Sequence, residues 1–186
     1  MRYEEHEWVA PIIRLGQVLC KCDDPACDGK HLDPVARPRT QKMLSLAGSL
    51  LKEYERCYDH GWKITSCQRC EKHNKAVGGS PDSAHIHNCA IDIVTQGPIM
   101  DLVLLAEQQG CWSQINWSME KRQIHLDLHP DDKVRRGYRD AAGVYRVRAM
   151  GTRYGSPLLQ IVDWNVDEER EPPSYVNAYL QRERPE

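Results

Sequence analysis

The segment Ser80-Pro-Asp-Ser-Ala-His-Ile-His-Asn-Cys-Ala-Ile-Asp-Ile93 joins a polar turn to the start of an apolar run at 90–94. It places a histidine, His85, seven residues before an aspartate, Asp92. A turn that leads directly into a buried strand would bring these two side chains together. Imidazole nitrogen and carboxylate oxygen are both zinc ligands, so the segment predicts one half of a metal site.

A second segment, residues 123–129, supplies a candidate third ligand. Its apolar and polar residues alternate, as they do in a half-buried strand. The polar face carries His125, Asp127 and His129. Three ionisable groups on one strand face are costly to bury unless they are paired or bind a metal. A site therefore explains this face better than a core does.

The predicted ligands are His85, Asp92 and His125. Three protein ligands leave the open fourth position that a hydrolytic zinc site needs for water. Zinc lowers the pKa of that water toward neutrality, and a nearby carboxylate must accept its proton. A cation should stabilise the oxyanion, and Arg69, on the loop before the ligands, is the candidate. The pattern predicts hydrolysis of a peptide bond.

Global properties of the chain limit its size and its partners. Its 186 residues fit one domain, and a net charge of −2 gives no support to nucleic-acid binding. No apolar run approaches the roughly 20 residues that span a bilayer, so we expect no membrane insertion. The acidic N-terminus lacks an apolar signal region, which predicts synthesis in the cytosol without a signal peptide. We expect a monomer.

Periodicity predicts a small set of helices and strands. Thr40 is the expected N-cap of the clearest helix, which should end before Gly61. Before it, residues 8–19 should contain at most one short strand. The other expected elements are strands at 62–66, 90–94, 111–117 and 123–129, a short helix at 71–77 and a helix between Pro98 and Gly110. Weaker strands are expected within 138–150 and 157–162, followed by a charged tail at 167–186.

Eight cysteines in a chain without an expected signal peptide favour metal binding or buried free thiols over disulfides. A Gly/Pro/Asp-containing loop carries a possible second, structural zinc site, with the candidate ligands Cys20, Cys22, Cys27 and His31. Free thiols or a disulfide remain the alternatives. Cys67 and Cys70 form a C-x-x-C that could supply missing ligands, or they are merely neighbours of a catalytic loop.

Residues 64–93, together with Gln123-Ile-His-Leu-Asp127, resemble the core of the M15 zinc peptidases. The family includes D-alanyl-D-alanine carboxypeptidases and phage L-alanyl-D-glutamate endolysins. The matching motifs are a Thr-Ser-x-x-Arg stretch, then His-Asn, Val-Gly-Gly, Ser-x-His and Ala-x-Asp-Ile, and finally His-x-Asp. The resemblance extends over roughly residues 40–130. The resemblance is greatest to the phage-type branch.

This resemblance implies an α+β fold shared with the hedgehog signalling domain, with helices packed on a small antiparallel sheet. It implies zinc held by His85, Asp92 and His125, Arg69 facing the substrate, and Ser83 near the metal-binding loop. It also implies a peptidoglycan stem peptide as substrate and a phage or prophage origin, with action on the cell wall. The corresponding domains are an N-terminal segment (1–39), a peptidase-like core (40–165) and a tail (166–186).

Two positions depart from the family pattern. Asn88 replaces the usual Gly three residues after the first ligand, and Asn tolerates the left-handed conformation that this turn requires. Arg122 stands where many relatives carry a general-base acid. Asp127 is therefore our first choice as base, or else a partner that orients a ligand histidine. The remaining candidates for the base are Glu120, His87 and His129.

The missing acid keeps a second class of function open, namely a zinc-containing cell-wall-binding or structural module without hydrolytic activity. A third class, a nucleic-acid-binding zinc knuckle built on Cys20 to His31, is disfavoured by the charge.

Overall fold

The computed structural model describes residues 8–24, 27, 38–128, 133–139 and 145–152. His31, His129, the expected strand at 157–162, the expected domain boundary at 165/166 and the tail at 167–186 lie outside the described residues. In order, the elements are β1 (Trp8–Ala10), β2 (Ile13–Arg14), α1 (Leu15–Val18), α2 (Pro38–Tyr58), β3 (Trp62–Ser66), α3 (Glu71–Ala76), β4 (Ala90–Thr95), α4 (Ile99–Gln109), β5 (Gln114–Ser118), β6 (Gln123–Asp127), β7 (Lys133–Arg139) and β8 (Tyr145–Thr152). The predicted helices and central strands are confirmed to within a few residues.

One six-stranded sheet positions the site. Its order is β3-β4-β6-β5-β7-β8, and every neighbouring pair is antiparallel except β5 and β7, which run parallel. The expected mixture of helices with a small, mainly antiparallel sheet is confirmed. The parallel pair was not anticipated, because the pairing of non-consecutive strands leaves no periodic signal in the sequence.

The two faces of this sheet differ in chemistry. Alternate residues of β4, β5 and β6 are fully buried and apolar: Ile91, Ile93, Ile115, Ile124 and Leu126. Helix α4 packs on β5 and β6, and α2 packs on α4, which covers that side. Because successive side chains in a strand point to opposite faces, Asp92 and His125 lie on the other side. Burial of the apolar residues therefore places the polar residues on the opposite face of the sheet.

The expectation of at most one strand in residues 8–19 is wrong. Strands β1 and β2 form a short antiparallel hairpin, and the helical turn α1 follows at once. The chain reverses at Pro11 and Ile12, and Ile12 adopts a positive φ of 57°. Such a tight reversal has no clear sequence signature without a glycine.

The expected N-cap at Thr40 is also wrong. Helix α2 begins at Pro38, a residue favoured in the first helical turn because its missing N–H is not needed there. Thr40 instead donates its buried hydroxyl to the carbonyl oxygen of Asn88 at 2.8 Å. The helix is thereby fixed to the turn that precedes β4.

None of the helices in the described part of the chain combines the length and the apolar character needed to cross a membrane.

Candidate metal centre

His85 lies in the turn between α3 and β4 and is only 3% exposed. Its Nδ1 donates a hydrogen bond to the carbonyl oxygen of Cys67 at 2.5 Å. A carbonyl can only accept, so this contact keeps the proton on Nδ1 and leaves Nε2 available as a ligand. Nε2 lies 3.2 Å from a carboxylate oxygen of Asp92.

Asp92 is the centre of the cluster. It lies in β4, is 5% exposed, and directly faces His125 of β6 in the sheet register. Its Oδ1 accepts from Nδ1 of His125 at 2.8 Å, and its Oδ2 accepts from the Arg69 guanidinium at 2.7 Å. One buried carboxylate is therefore surrounded by two imidazoles and a guanidinium.

These contacts shift two pKa values in the metal-free protein. Burial raises the pKa of Asp92, but the charges and hydrogen bonds of His85 and His125 outweigh it and hold that pKa well below its usual range. For His125, burial lowers the pKa, but hydrogen bonds to Asp127 and Asp92 prevail and raise it to about 9. The cluster therefore favours positive charge beside Asp92.

A metal ion would supply that positive charge directly. The ligand atoms of His85, Asp92 and His125 all lie within 4.8 Å of one another. Two nitrogen donors and one carboxylate oxygen form a donor set that suits zinc. The structure thus brings together all three ligands predicted from the sequence, and they fit a zinc ion.

Arg69 braces this cluster from the loop between β3 and α3. Its Nε donates to the hydroxyl of Ser66 at 2.8 Å, while Nη2 holds Asp92. The arginine also lines the cleft. Its guanidinium thus combines a contact to a candidate ligand with a position from which it can reach a substrate.

The cluster opens into a cleft of about 670 Å³, a volume in the range of small-ligand pockets. Strands β5 and β6 contribute Gln114, Asn116, Trp117, Ser118, Gln123, His125 and Asp127 to its lining, and the opposite wall is the loop from Val77 to His85. Most of these side chains are polar, which suits a substrate rich in amide and carboxylate groups.

The loop wall is held in place by buried polar contacts. Asn74 of α3 is 2% exposed and donates to the carbonyl oxygen of Ser80 at 2.7 Å. Ser83 lines the cleft, and its hydroxyl accepts from the backbone N–H of His85 at 3.3 Å. Asn88 has a φ of 55°, so the prediction that it replaces glycine in a left-handed turn is confirmed.

Asp127 lies beside His125 and is 1% exposed. Its Oδ2 accepts from Nε2 of His125 at 3.2 Å, and its side chain lines the cleft. This position fits both roles considered for it, since the carboxylate touches a ligand histidine and also faces the cavity.

The other candidate bases are placed less favourably. Within the described chain, the acids that line the cleft are Asp82, Asp92 and Asp127, and Glu120 is not among them. His87 is half exposed and pairs with Asp82 at 3.1 Å. Asp82 was missed because its sequence context, a Pro-Asp-Ser turn, indicates only a loop.

Arg122 is turned away from the cluster. It has a φ of 47°, and its Nη1 donates to the carbonyl oxygen of Gln96 at 2.8 Å. It does not line the cleft. The arginine closes the turn before β6, so this position contributes no acid to the site.

The structure also brings a second group of ligand atoms together. The sulfur atoms of Cys20, Cys22, Cys27 and Cys70 lie within 4.8 Å of one another. The expected cluster of Cys20, Cys22 and Cys27 is thus brought together, with Cys70 as the fourth member. Cys67 is not one of the four; it is fully buried, and burial raises the pKa of its thiol.

A buried carboxylate between two imidazoles, at the base of an open cleft, is the arrangement of a metal-dependent hydrolase. Residues 23–127, more than half of the chain, match the family model Peptidase M15. The chain therefore belongs to the peptidase M15 family, and the resemblance found in its sequence is confirmed. No curated protein and no solved structure matches it.

Proposed function

We propose that this protein is a zinc metallopeptidase that hydrolyses peptide bonds in peptidoglycan stem peptides. It would act either as a D,D-carboxypeptidase or as an endolysin-type endopeptidase. The fold would then be the hedgehog/D,D-peptidase variant of the α+β class. The observation that carries the proposal is the convergence of His85, Asp92 and His125 at the base of a cleft, in a chain of the M15 family.

The ligands are pre-organised by contacts within the chain. The carbonyl of Cys67 fixes the proton of His85 on Nδ1, which points Nε2 toward Asp92. Asp127 accepts a hydrogen bond from Nε2 of His125, which leaves Nδ1 facing Asp92. When bound by this set, zinc would acidify a water molecule and polarise a carbonyl group.

The remaining chemistry belongs to two side chains. Arg69 lines the cleft beside Asp92 and is the proposed cation for the oxyanion that forms when an amide carbonyl is attacked. Asp127 is the proposed general base, which would pass a proton to the departing amine. Ser83, on the opposite wall, is proposed to contact the substrate.

The substrate class and the cellular setting come from the family resemblance. Peptidoglycan stem peptides offer amide and carboxylate groups that match the polar lining of the cleft. A phage or prophage origin, a monomeric state and action on the cell wall are parts of the same proposal.

The test is release of new amino groups from purified peptidoglycan and from synthetic stem peptides that contain either D-Ala-D-Ala or L-Ala-D-Glu. We expect the zinc-loaded protein to cleave one of them, and His125→Ala to lose at least about a hundredfold in rate, since the metal generates the nucleophile. His87→Ala is the matched control, because this histidine is exposed and lies outside the cleft lining.

The alternative is a zinc-containing cell-wall-binding or structural module that does not hydrolyse. The observation in its favour is Arg122, whose side chain bonds to the Gln96 carbonyl where many relatives place an acid. If wild type and His125→Ala are equally inactive while both bind purified cell wall, the peptidase proposal fails and this alternative stands.

A further inference from the structure

The cysteine cluster lies outside the cleft and is not used by the proposed reaction. We propose that Cys20, Cys22, Cys27 and Cys70 bind a structural zinc ion that fixes the N-terminal segment to the loop carrying Arg69. This site is distinct from the proposed hydrolytic centre, since the two share no ligand.

The spacing of the sulfur atoms fits one tetrahedral ion. All four lie within 4.8 Å of one another, and those of Cys22 and Cys70 are 3.7 Å apart. Zinc at about 2.3 Å from each thiolate separates the sulfurs of a tetrahedral set by roughly 3.8 Å. A disulfide would need about 2.05 Å. The observed separation therefore corresponds to a shared ion better than to a bond.

The ligands come from two parts of the chain that only the fold brings together. Cys20 and Cys70 are fifty residues apart, yet the backbone N–H of Cys70 points at the sulfur of Cys20 at 3.4 Å. The N–H of His73 likewise donates to the sulfur of Cys70 at 3.3 Å. Backbone N–H groups directed at sulfur stabilise the negative charge that a thiolate ligand carries. Free thiols would gain little from such an arrangement, because the sulfur of a neutral thiol is a weak acceptor.

A histidine and a lysine beside the cluster also suit a negatively charged site. Four thiolates and one Zn²⁺ carry a net charge of −2. Nδ1 of His73 lies 3.2 Å from the sulfur of Cys20. On the same helix, Lys72 pairs with Asp24 of the cysteine loop at 3.0 Å, although the lysine is mostly exposed and the pair contributes little by itself.

The proposed site would strengthen an attachment that hydrogen bonds already make between these two segments. The N–H of Gln68 donates to the carbonyl oxygen of Val18 at 3.1 Å. Nζ of Lys21 donates to the carbonyl oxygens of Ile64 and Thr65 at 3.0 and 3.1 Å. A metal linking the same two segments would restrict the loop that ends at Cys70, the residue directly after Arg69.

The first experiment uses the full chain, made metal-free under reducing conditions and titrated with Co²⁺. Cobalt bound to thiolates gives an intense sulfur-to-metal charge-transfer band in the near ultraviolet, which a site of two histidines and an aspartate cannot give. We expect this band in wild type, and we expect it to persist in His125→Ala. Failure of the hydrolytic centre and failure of the cysteine site can therefore be told apart.

The variants assign the band to its ligands. Cys22→Ser and Cys70→Ser should each weaken or abolish it and reduce the zinc content by one ion per chain. Cys57→Ser is the matched control, because Cys57 is exposed on α2 and outside the cluster, and it should change neither quantity. In wild type, zinc should also slow amide hydrogen exchange at 19–22 and 67–73 more than in α4.

Three results would overturn the proposal. One is the absence of a thiolate band in reduced wild-type protein. Another is a band of unchanged intensity in both cluster variants. The third is a Cys22–Cys70 disulfide, found by mass spectrometry after alkylation of protein that was purified with reductant.

Discussion

His125 should make the metal-free protein lose stability as the pH rises from about 6.5 to about 9. Hydrogen bonds to Asp127 and Asp92, acting against burial, raise the pKa of His125 to about 9 in the folded protein. In the unfolded chain it returns to about 6.5. Because the folded pKa is the higher one, the stabilisation is complete below 6.5 and is lost as the pH passes through 9.

The magnitude follows from the same two values. Each pH unit between the unfolded and folded pKa corresponds to about 1.4 kcal/mol, so the rise to about 9 corresponds to roughly 3 kcal/mol. The His125 side chain is 23% exposed, and the carboxylates facing it are nearly buried, so screening by solvent removes only part of this energy.

The assay is urea unfolding of wild type and His125→Gln at pH 6 and pH 9, in chelator and reductant. Other titrating groups are common to both proteins, so the difference in unfolding free energy isolates His125. We expect that difference to fall by about 2–3 kcal/mol between the two pH values. With zinc in excess the trend should reverse, because the metal binds neutral imidazole. A difference in chelator that stays constant to within about 0.5 kcal/mol would refute the reasoning.

Two further predictions concern packing and the role of Asp127. Gly48→Ala should lower the melting temperature, although alanine normally favours a helix by about 1 kcal/mol, because its Cβ would collide with the carbonyl oxygen of Pro11. Ser49→Ala, at the exposed neighbouring position, is the control and should not lower it. Asp127→Asn should weaken zinc binding by about 10–100-fold, measured by competition with a chromophoric chelator, because Asp127 orients His125. If zinc affinity is unchanged while kcat collapses, Asp127 is the general base and not an orienting partner.

The ligand set could be predicted because it depends on local patterns. Strand β6 alternates between apolar and polar residues, which assigns His125 and Asp127 to one face, and Asp92 is the one charged residue in the apolar run of β4. The sheet register then places Asp92 and His125 directly opposite each other. The preceding turn adds His85, and its one unusual backbone conformation falls on Asn88, a residue that accepts it.

The sequence could not decide between Cys67 and Cys70 as the fourth ligand, because the choice depends on the path of a loop. A C-x-x-C spacing suggests that both thiols share one site, yet Cys67 is buried while Cys70 caps helix α3 near Cys20. Their separation follows a register shift at the end of β3 and the contact of Gln68 with Val18, which is distant in sequence. The parallel pairing of β5 with β7 was missed for the same reason, since non-local contacts leave no periodic signal.

The loop from Ser66 to Cys70 connects the two clusters. The carbonyl of Cys67 fixes the tautomer of His85, Arg69 holds Asp92, and Cys70 belongs to the cysteine cluster. Because neighbouring residues of one short loop contact both clusters, changes at the two sites should not be independent, unlike changes at distant sites. A cluster variant such as Cys70→Ser should therefore weaken metal binding at His85 and Asp92, whereas the exposed Cys57→Ser should not. The carbonyl that orients His85 lies only three residues before Cys70, so displacing Cys70 would disturb that contact.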